Sequence, residues 1–196
     1  MKVTTNYAKH TNSNPIQRYL LSRFNRRLIE CVRLANPKTI LDAGCGEGFT
    51  LTQLTKAGIK ATMSGIDYSE EAIALAEKTA PTLRIAKASI YSLPFPESAF
   101  DLVICSEVLE HLEHPEKAIA EIRRVSKKHI LVSVPNEPYF QIANFLRGKY
   151  PRTFGNHPEH INHWSSYAIV TLLRSAGLSI QRVYTPFAWT LIFASK

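Results

Sequence analysis

Apolar and polar positions along the chain follow two rhythms. From Pro15 to Ala35 the apolar residues Ile16, Leu20, Phe24, Leu28, Cys31, Val32 and Ala35 recur at helical spacing, with Asn14 and Pro15 as a start signal. After Asn36-Pro37 short apolar runs alternate with amphipathic stretches. Thr39–Leu41, Ala61–Ile66, Leu83–Ala86, Phe100–Cys105, His129–Val134, Ser179–Tyr184 and Trp189–Ala194 read as strands. Glu47–Lys56, Ser69–Lys78, Pro115–Ser126 and Ser165–Ser175 read as helices, two of them ended by Gly58 and Gly177. Such alternation predicts an α/β fold, a parallel, doubly wound sheet with helices on both faces. The one long irregular stretch, Pro135–Trp164, holds about thirty residues and one short helix around Phe140–Leu146. A connection of that length in a compact unit is usually functional.

Composition narrows the classes. At 196 residues, 45% hydrophobic and 20% charged, the chain has the size and make-up of one globular domain. Expected segments are an N-terminal helix over 1–36, an alternating strand-and-helix core over 37–134, the long loop over 135–164 and a closing helix with two strands over 165–196. Cys31, Cys45 and Cys105 form no CxxC pair, so neither a zinc knuckle nor a disulfide framework is signalled, and a reducing cytoplasm is the simplest location. No apolar run approaches the ~18 residues of a membrane span, and the polar stretch from Met1 to Asn14 is not expected to be a signal peptide.

The net charge of +8 invites a nucleic-acid or anionic-surface reading, but its distribution matters more. Residues 1–40 carry net +7, residues 41–120 net −6, and residues 121–196 net +7. An acidic middle lies between two basic ends.

The first strand runs into Asp42-Ala43-Gly44-Cys45-Gly46-Glu47-Gly48. A glycine-rich turn between strand and helix lets backbone approach a ligand closely, with amides pointing outward. A dinucleotide fingerprint needs Gly or Ala where this chain has Phe49, which disfavours a nicotinamide dehydrogenase. The acid two residues before the first glycine would repel phosphate and attract an ammonium or sulfonium group. Asp67 closes the second strand nineteen residues after Gly48, where an acid in this topology can accept both ribose hydroxyls. The alternative is a plain tight turn with Asp67 as a helix cap.

These residues, Ile40 to Gly48, with Gly65-Ile66-Asp67-Tyr68-Ser69 and Leu93-Pro94-Phe95 before Phe100–Ile104, resemble the ordered motifs of class I S-adenosylmethionine-dependent methyltransferases. The likeness is nearest to the group of ubiquinone and menaquinone methyltransferases. It implies a Rossmann-like, doubly wound, seven-stranded mixed sheet with the last strand antiparallel, a lid or helix over 1–36, a cofactor-binding core over 37–134, an acceptor loop over 135–164 and a C-terminal helix and strands over 165–196. It implies that Gly44 and Gly46 pack under the cofactor, Asp42 holds the methionine ammonium directly or through water, Asp67 binds the ribose and Tyr68 lies against the adenine. Ser89 and Ile90 stand where the family often has an Asp and a small residue at the adenine. Ser106 would lie near the reactive methyl.

A second group follows the fourth strand. Glu107, Glu110 and His111 share one face if Ser106–Leu112 is helical. Two carboxylates and an imidazole can serve a divalent cation. His157, His160 and His163 crowd seven residues of the long loop and could complete such a site. The spacing resembles two metal-using branches of the same family, the ubiquinone O-methyltransferases and the small-RNA 2′-O-methyltransferases. On that likeness Glu107, Glu110, His111 and His160 are the ligands of Mg²⁺ or another divalent cation. Without a metal, the two carboxylates are solvated or paired, and His111 is a general base or a pocket wall. Under either reading His111 and His160 face the substrate and are the candidate catalytic residues.

Three functions remain open from sequence: methyl transfer to a small-molecule acceptor through an oxygen, RNA 2′-O-methylation, and cofactor binding without catalysis. The basic N-terminal helix is either a solvated face or a cover over the pocket. In the second case Tyr7 and His10 would belong to that cover, and Arg18, Arg147, Lys149 and Arg152 would meet an anionic acceptor, a phosphate or a membrane surface.

Overall fold

The computed structural model describes Tyr7, residues 11–148 and residues 150–196. His10 and Lys149 lie outside the described residues. The elements in chain order are α1 (Pro15–Ala35), β1 (Thr39–Ala43), α2 (Phe49–Lys56), β2 (Thr62–Asp67), α3 (Glu70–Thr79), β3 (Arg84–Lys87), β4 (Phe100–Ser106), α4 (Pro115–Val125), β5 (Ser126–Pro135), α5 (Tyr139–Leu146), α6 (Ser166–Ser175), β6 (Ser179–Tyr184) and β7 (Trp189–Ser195). Single 3₁₀ turns stand at Leu109–His111 and Pro151–Thr153.

The local rules act where the sequence placed them. Asn14 caps α1, its Oδ1 accepting from the amides of Ile16 and Gln17, and Pro15 opens the first turn. Ser69 caps α3 through Ala72 N–H. Helix α2 starts at Phe49 rather than Glu47 because Gly48 adopts a left-handed conformation, φ +75°, before the first turn.

The strands form one seven-stranded sheet in the order β3-β2-β1-β4-β5-β7-β6. β1 to β5 pair in parallel; β7 runs antiparallel to both β5 and β6. The expected mixed α/β sheet and its antiparallel last strand are therefore observed.

Alternation along the central strands divides the core between the two faces. Leu41, Val103, Cys105, Ile130, Val132 and Ile192 join the cluster containing Ile119 and Ile122 of α4 and Ile169 and Leu173 of α6. Ile40, Leu102, Ile104, Leu131, Leu191 and Phe193 join the cluster containing Phe24, Leu28, Cys31 and Val32 of α1. Burial on both faces explains why these strands read as nearly continuous apolar runs.

The chain leaves β1 toward β2 on one side, and returns through β4 on the other. The carboxyl ends of β1 and β4 therefore flank the switch point where open α/β sheets bind ligands.

Candidate active site

At that switch point lies a cleft of about 670 Å³, a size that suits a small-molecule ligand. Its floor is the turn after β1, with Gly44, Cys45, Gly46 and Glu47. Asp67 and Tyr68 at the end of β2, Ala88 and Ile90 beyond β3, Ser106 at the end of β4 with Glu107 and Val108 after it, and Leu21, Phe24 and Asn25 of α1 close it in.

The turn is tightly determined. Gly44, Gly46 and Gly48 all have positive φ, at 83°, 53° and 75°. The amides of Gly44 and Cys45 both donate to the carbonyl of Ile66, which fixes the turn against β2. A Cβ on Gly44 would stand 2.5 Å from Val108 Cγ2, so the absence of a side chain lets the segment after β4 approach. Asp67 accepts from Gly46 N–H at Oδ2 (2.7 Å) and from Ser69 N–H at Oδ1 (2.8 Å). Each oxygen keeps lone-pair capacity for a further donor. Tyr68 is 76% exposed, with Lys87 Nζ 5.8 Å from its ring centroid.

Asp42 does not line the cleft. It is 1% exposed and its Oδ2 has no hydrogen-bond partner. Burial, aided by the charge of Asp67, pushes its carboxyl up to about 7. A buried carboxylate with one unpartnered oxygen beside the glycine turn fits a cationic ligand group, directly or through water. Ser89 also stays off the cleft wall. Its hydroxyl accepts from Tyr91 N–H at 3.2 Å in a local turn, while its neighbour Ile90 lines the cleft.

The second group differs from a one-faced helix. Glu107 takes φ +59°, and only Leu109–His111 forms a 3₁₀ turn, so the i, i+3, i+4 geometry is not made. Glu107 instead accepts from Trp189 Nε1–H (2.7 Å) and, more distantly, from Ser133 Oγ (3.5 Å), whose hydroxyl also bonds Ser106. The set that does come together is Glu110, His111 and His160, each offering a ligand atom within 4.8 Å of the others.

The loop reaches this set because its backbone is tied to the turn. The amides of Ile161 and Asn162 both donate to the Glu110 carbonyl, and Asn162 Nδ2 donates to the carbonyls of Leu112 (2.6 Å) and Leu109 (3.2 Å). His111 Nδ1 lies 2.9 Å from the Glu159 carbonyl. A carbonyl only accepts, so Nδ1 carries the proton and Nε2 presents its lone pair when the ring is neutral. His160 is packed between His157 (4.7 Å, stacked) and Phe140 of α5 (5.5 Å, stacked). His111 and Glu159 also line the glycine-turn cleft, so the two groups share one cavity.

Asn162, Trp189 and Val108 were not among the sequence candidates. Asn162 sits inside the conspicuous histidine run, a usable signal. Trp189 and Val108 read only as core residues. Of the anticipated N-terminal cover, Tyr7 stands with its ring 5.9 Å from that of Phe49, which lines the cleft. Arg147 reaches back to Gln17 of α1, Nη2 to Oε1 at 3.0 Å.

The sheet order, the glycine turn after β1 and the acid closing β2 together define a class I methyltransferase fold. Residues 41–132 match the family model described as a methyltransferase domain. A Mycolicibacterium smegmatis protein named a probable S-adenosylmethionine-dependent methyltransferase is 28% identical over 163 residues, covering 81% of this chain and 60% of its own length. The demethylmenaquinone methyltransferase of Thermus thermophilus is 27% identical over 181 residues, 81% of this chain and 82% of that protein. Among the curated relatives the chain spans 54–60% of the length of the three mycobacterial proteins. The crystal structure of magnesium protoporphyrin IX methyltransferase from Synechocystis PCC 6803, with bound SAH, superposes with a TM-score of 0.73 at 18% identity, over 99% of this chain and 95% of that one. That likeness is one of fold.

Proposed function

We propose that this protein transfers a methyl group from S-adenosylmethionine to an oxygen of a small-molecule acceptor, assisted by a divalent cation held by Glu110, His111 and His160. The observation that carries the reading is the continuity of the two sites: His111 belongs both to the wall of the glycine-turn cleft and to the carboxylate–imidazole cluster.

The residues divide the work. Gly44 and Gly46 give a bound ligand backbone to lie against, Asp67 accepts from ribose hydroxyls, and Asp42 balances a positive charge near the turn. One carboxylate and two imidazoles suit a first-row transition ion such as Mn²⁺ better than Mg²⁺, which prefers oxygen. The bond from His111 Nδ1 to the Glu159 carbonyl orients Nε2 as a metal ligand or as the base that receives the acceptor proton. A bound cation would lower the acceptor hydroxyl's pKa. The sulfonium is already activated, so positioning of the acceptor oxygen supplies most of the remaining rate.

Calorimetry with S-adenosylmethionine is expected to give binding that Asp67→Ala abolishes. Binding unchanged by that substitution would overturn the cofactor assignment. Titration with Mn²⁺ alone should give one site that Glu110→Gln weakens, by about 10–100-fold if the carboxylate is a ligand. Absence of a metal isotherm leaves His111 as base and removes the cation. Methyl transfer screened against phenols, catechols, sugars and lipids then identifies the acceptor; turnover only on RNA would replace the small-molecule reading.

A further inference from the structure

An exposed apolar surface lies on the outer side of α5. Tyr139, Ile142, Phe145 and Leu146 recur at positions i, i+3, i+6 and i+7 of that helix, a single stripe, and are exposed by 46% at Phe145 to 79% at Leu146. The opposite side of α5 faces the protein: Asn144 is buried and bonds the Gly155 carbonyl, and Phe140 stacks on His160. The stripe extends beyond the helix. Phe154, 73% exposed, stacks on Phe145 with ring centroids 6.1 Å apart. The bond from Arg147 to Gln17 joins the end of α5 to the first turns of α1, where Ile16 and Tyr19 are 69% and 58% exposed.

Charge identifies what this surface meets. No acid occurs between Glu137 and Glu159, a stretch that carries Arg147, Lys149 and Arg152. No acid occurs in α1 before Glu30, where Arg18 and Arg23 flank Tyr19. Apolar side chains interspersed with basic ones along stretches free of acids suit an interface of acyl chains and anionic headgroups. A second copy of the same face would set these cations against one another.

We propose that α5, the Phe154 turn and the first turns of α1 form a surface that rests on an anionic lipid membrane. The helix that touches lipid is then the helix whose inner face, through Phe140, supports His160. An acceptor dissolved in the bilayer would enter beside α5 rather than from bulk water. The surface stands apart from the methyl-transfer reading, because nothing in it depends on the cofactor.

Sedimentation of the full chain with vesicles tests it. Binding is expected to vesicles of phosphatidylcholine mixed with phosphatidylglycerol, to fall with added salt, and to be much weaker with phosphatidylcholine alone. Leu146→Glu should abolish pelleting, and Arg152→Gln should lower the partition coefficient about fivefold, the worth of one basic side chain at such a surface. Both positions are exposed, so unchanged melting curves and unchanged cofactor calorimetry are expected of the variants. Absence of binding to the phosphatidylglycerol vesicles, or binding that neither variant lowers, overturns the proposal. So does a concentration-dependent dimer, seen by light scattering and lost in Leu146→Glu, without vesicle binding. A chain that binds vesicles but no S-adenosylmethionine would uphold this inference and overturn the proposed function.

Discussion

Asp42 sets the clearest test of a single residue. Its carboxyl is raised from 3.8 to about 7 by burial, with a smaller contribution from Asp67. An acid whose folded pKa exceeds its unfolded one binds more protons in the native state. Its stabilising contribution is therefore complete below about pH 4 and is lost as pH rises through about 7. The size is on the order of a few kcal/mol, from about 1.4 kcal/mol per unit. Asp42→Asn should flatten that part of the stability–pH curve and leave the variant more stable than wild type above pH 7, measured by urea melts. A cation bound nearby favours the ionised form, so cofactor affinity in the wild type should climb as pH rises through 7, while Asp42→Asn binds more weakly and without that slope. His111 makes a complementary prediction. His111→Ala should lower turnover about 10²–10⁴-fold while cofactor affinity stays within a small factor, since the ring acts on the acceptor side. A parallel loss of cofactor binding would make cofactor binding, not the acceptor side, the work of the His111 ring.

At the scale of elements, the turn after β1 and the segment after β4 constrain each other. Gly44→Ala meets two penalties: a left-handed φ, which costs an L-residue roughly 1–2 kcal/mol, and a Cβ 2.5 Å from Val108 Cγ2, an overpacking of about 1–3 kcal/mol. Val108→Ala relieves the second and not the first. Urea melts of the two single variants and the double should therefore show a favourable coupling of about 1 kcal/mol or more, with residual destabilisation in the double. Additive effects would mean that the two segments yield independently. The glycine turn was legible in sequence because positive φ and close approach leave glycine as the suitable residue. The segment after β4 was not. Val108, Leu109 and Leu112 have the spacing of a helix face, and Leu109 is fully buried, yet the backbone makes only a 3₁₀ turn after Glu107 goes left-handed. Burial pattern alone does not separate those two backbones. The partner that holds Glu107, the indole of Trp189, comes from the far end of the chain.

At the scale of the whole molecule, the alternation of strand and helix was readable because both faces of the central strands are covered. The antiparallel β7 was expected from the family resemblance, and the connection of β6 to β7 without an intervening helix accords with it. The gathering of Glu110, His111 and His160 rests instead on backbone bonds from Ile161 and Asn162 to Glu110, which no local pattern encodes. The three cysteines turn this architecture into a measurement. Cys31 lies in α1, Cys45 in the cleft turn and Cys105 in β4, all buried. Burial pushes the Cys31 thiol up to about 12 and raises Cys45 and Cys105 as well, so none offers a thiolate at neutral pH while the fold is closed. Alkylation followed by mass spectrometry thus reports opening. Cys31 and Cys105 belong to opposite faces of one sheet, in clusters that share β4, and should react together at the rate of global unfolding. Cys45 lines an open cleft and should react sooner, through local opening of the turn. S-adenosylmethionine should slow Cys45 far more than the other two. Fast reaction of Cys105 in the native protein would mean that β4, on which both sites depend, is not the stable centre of the sheet.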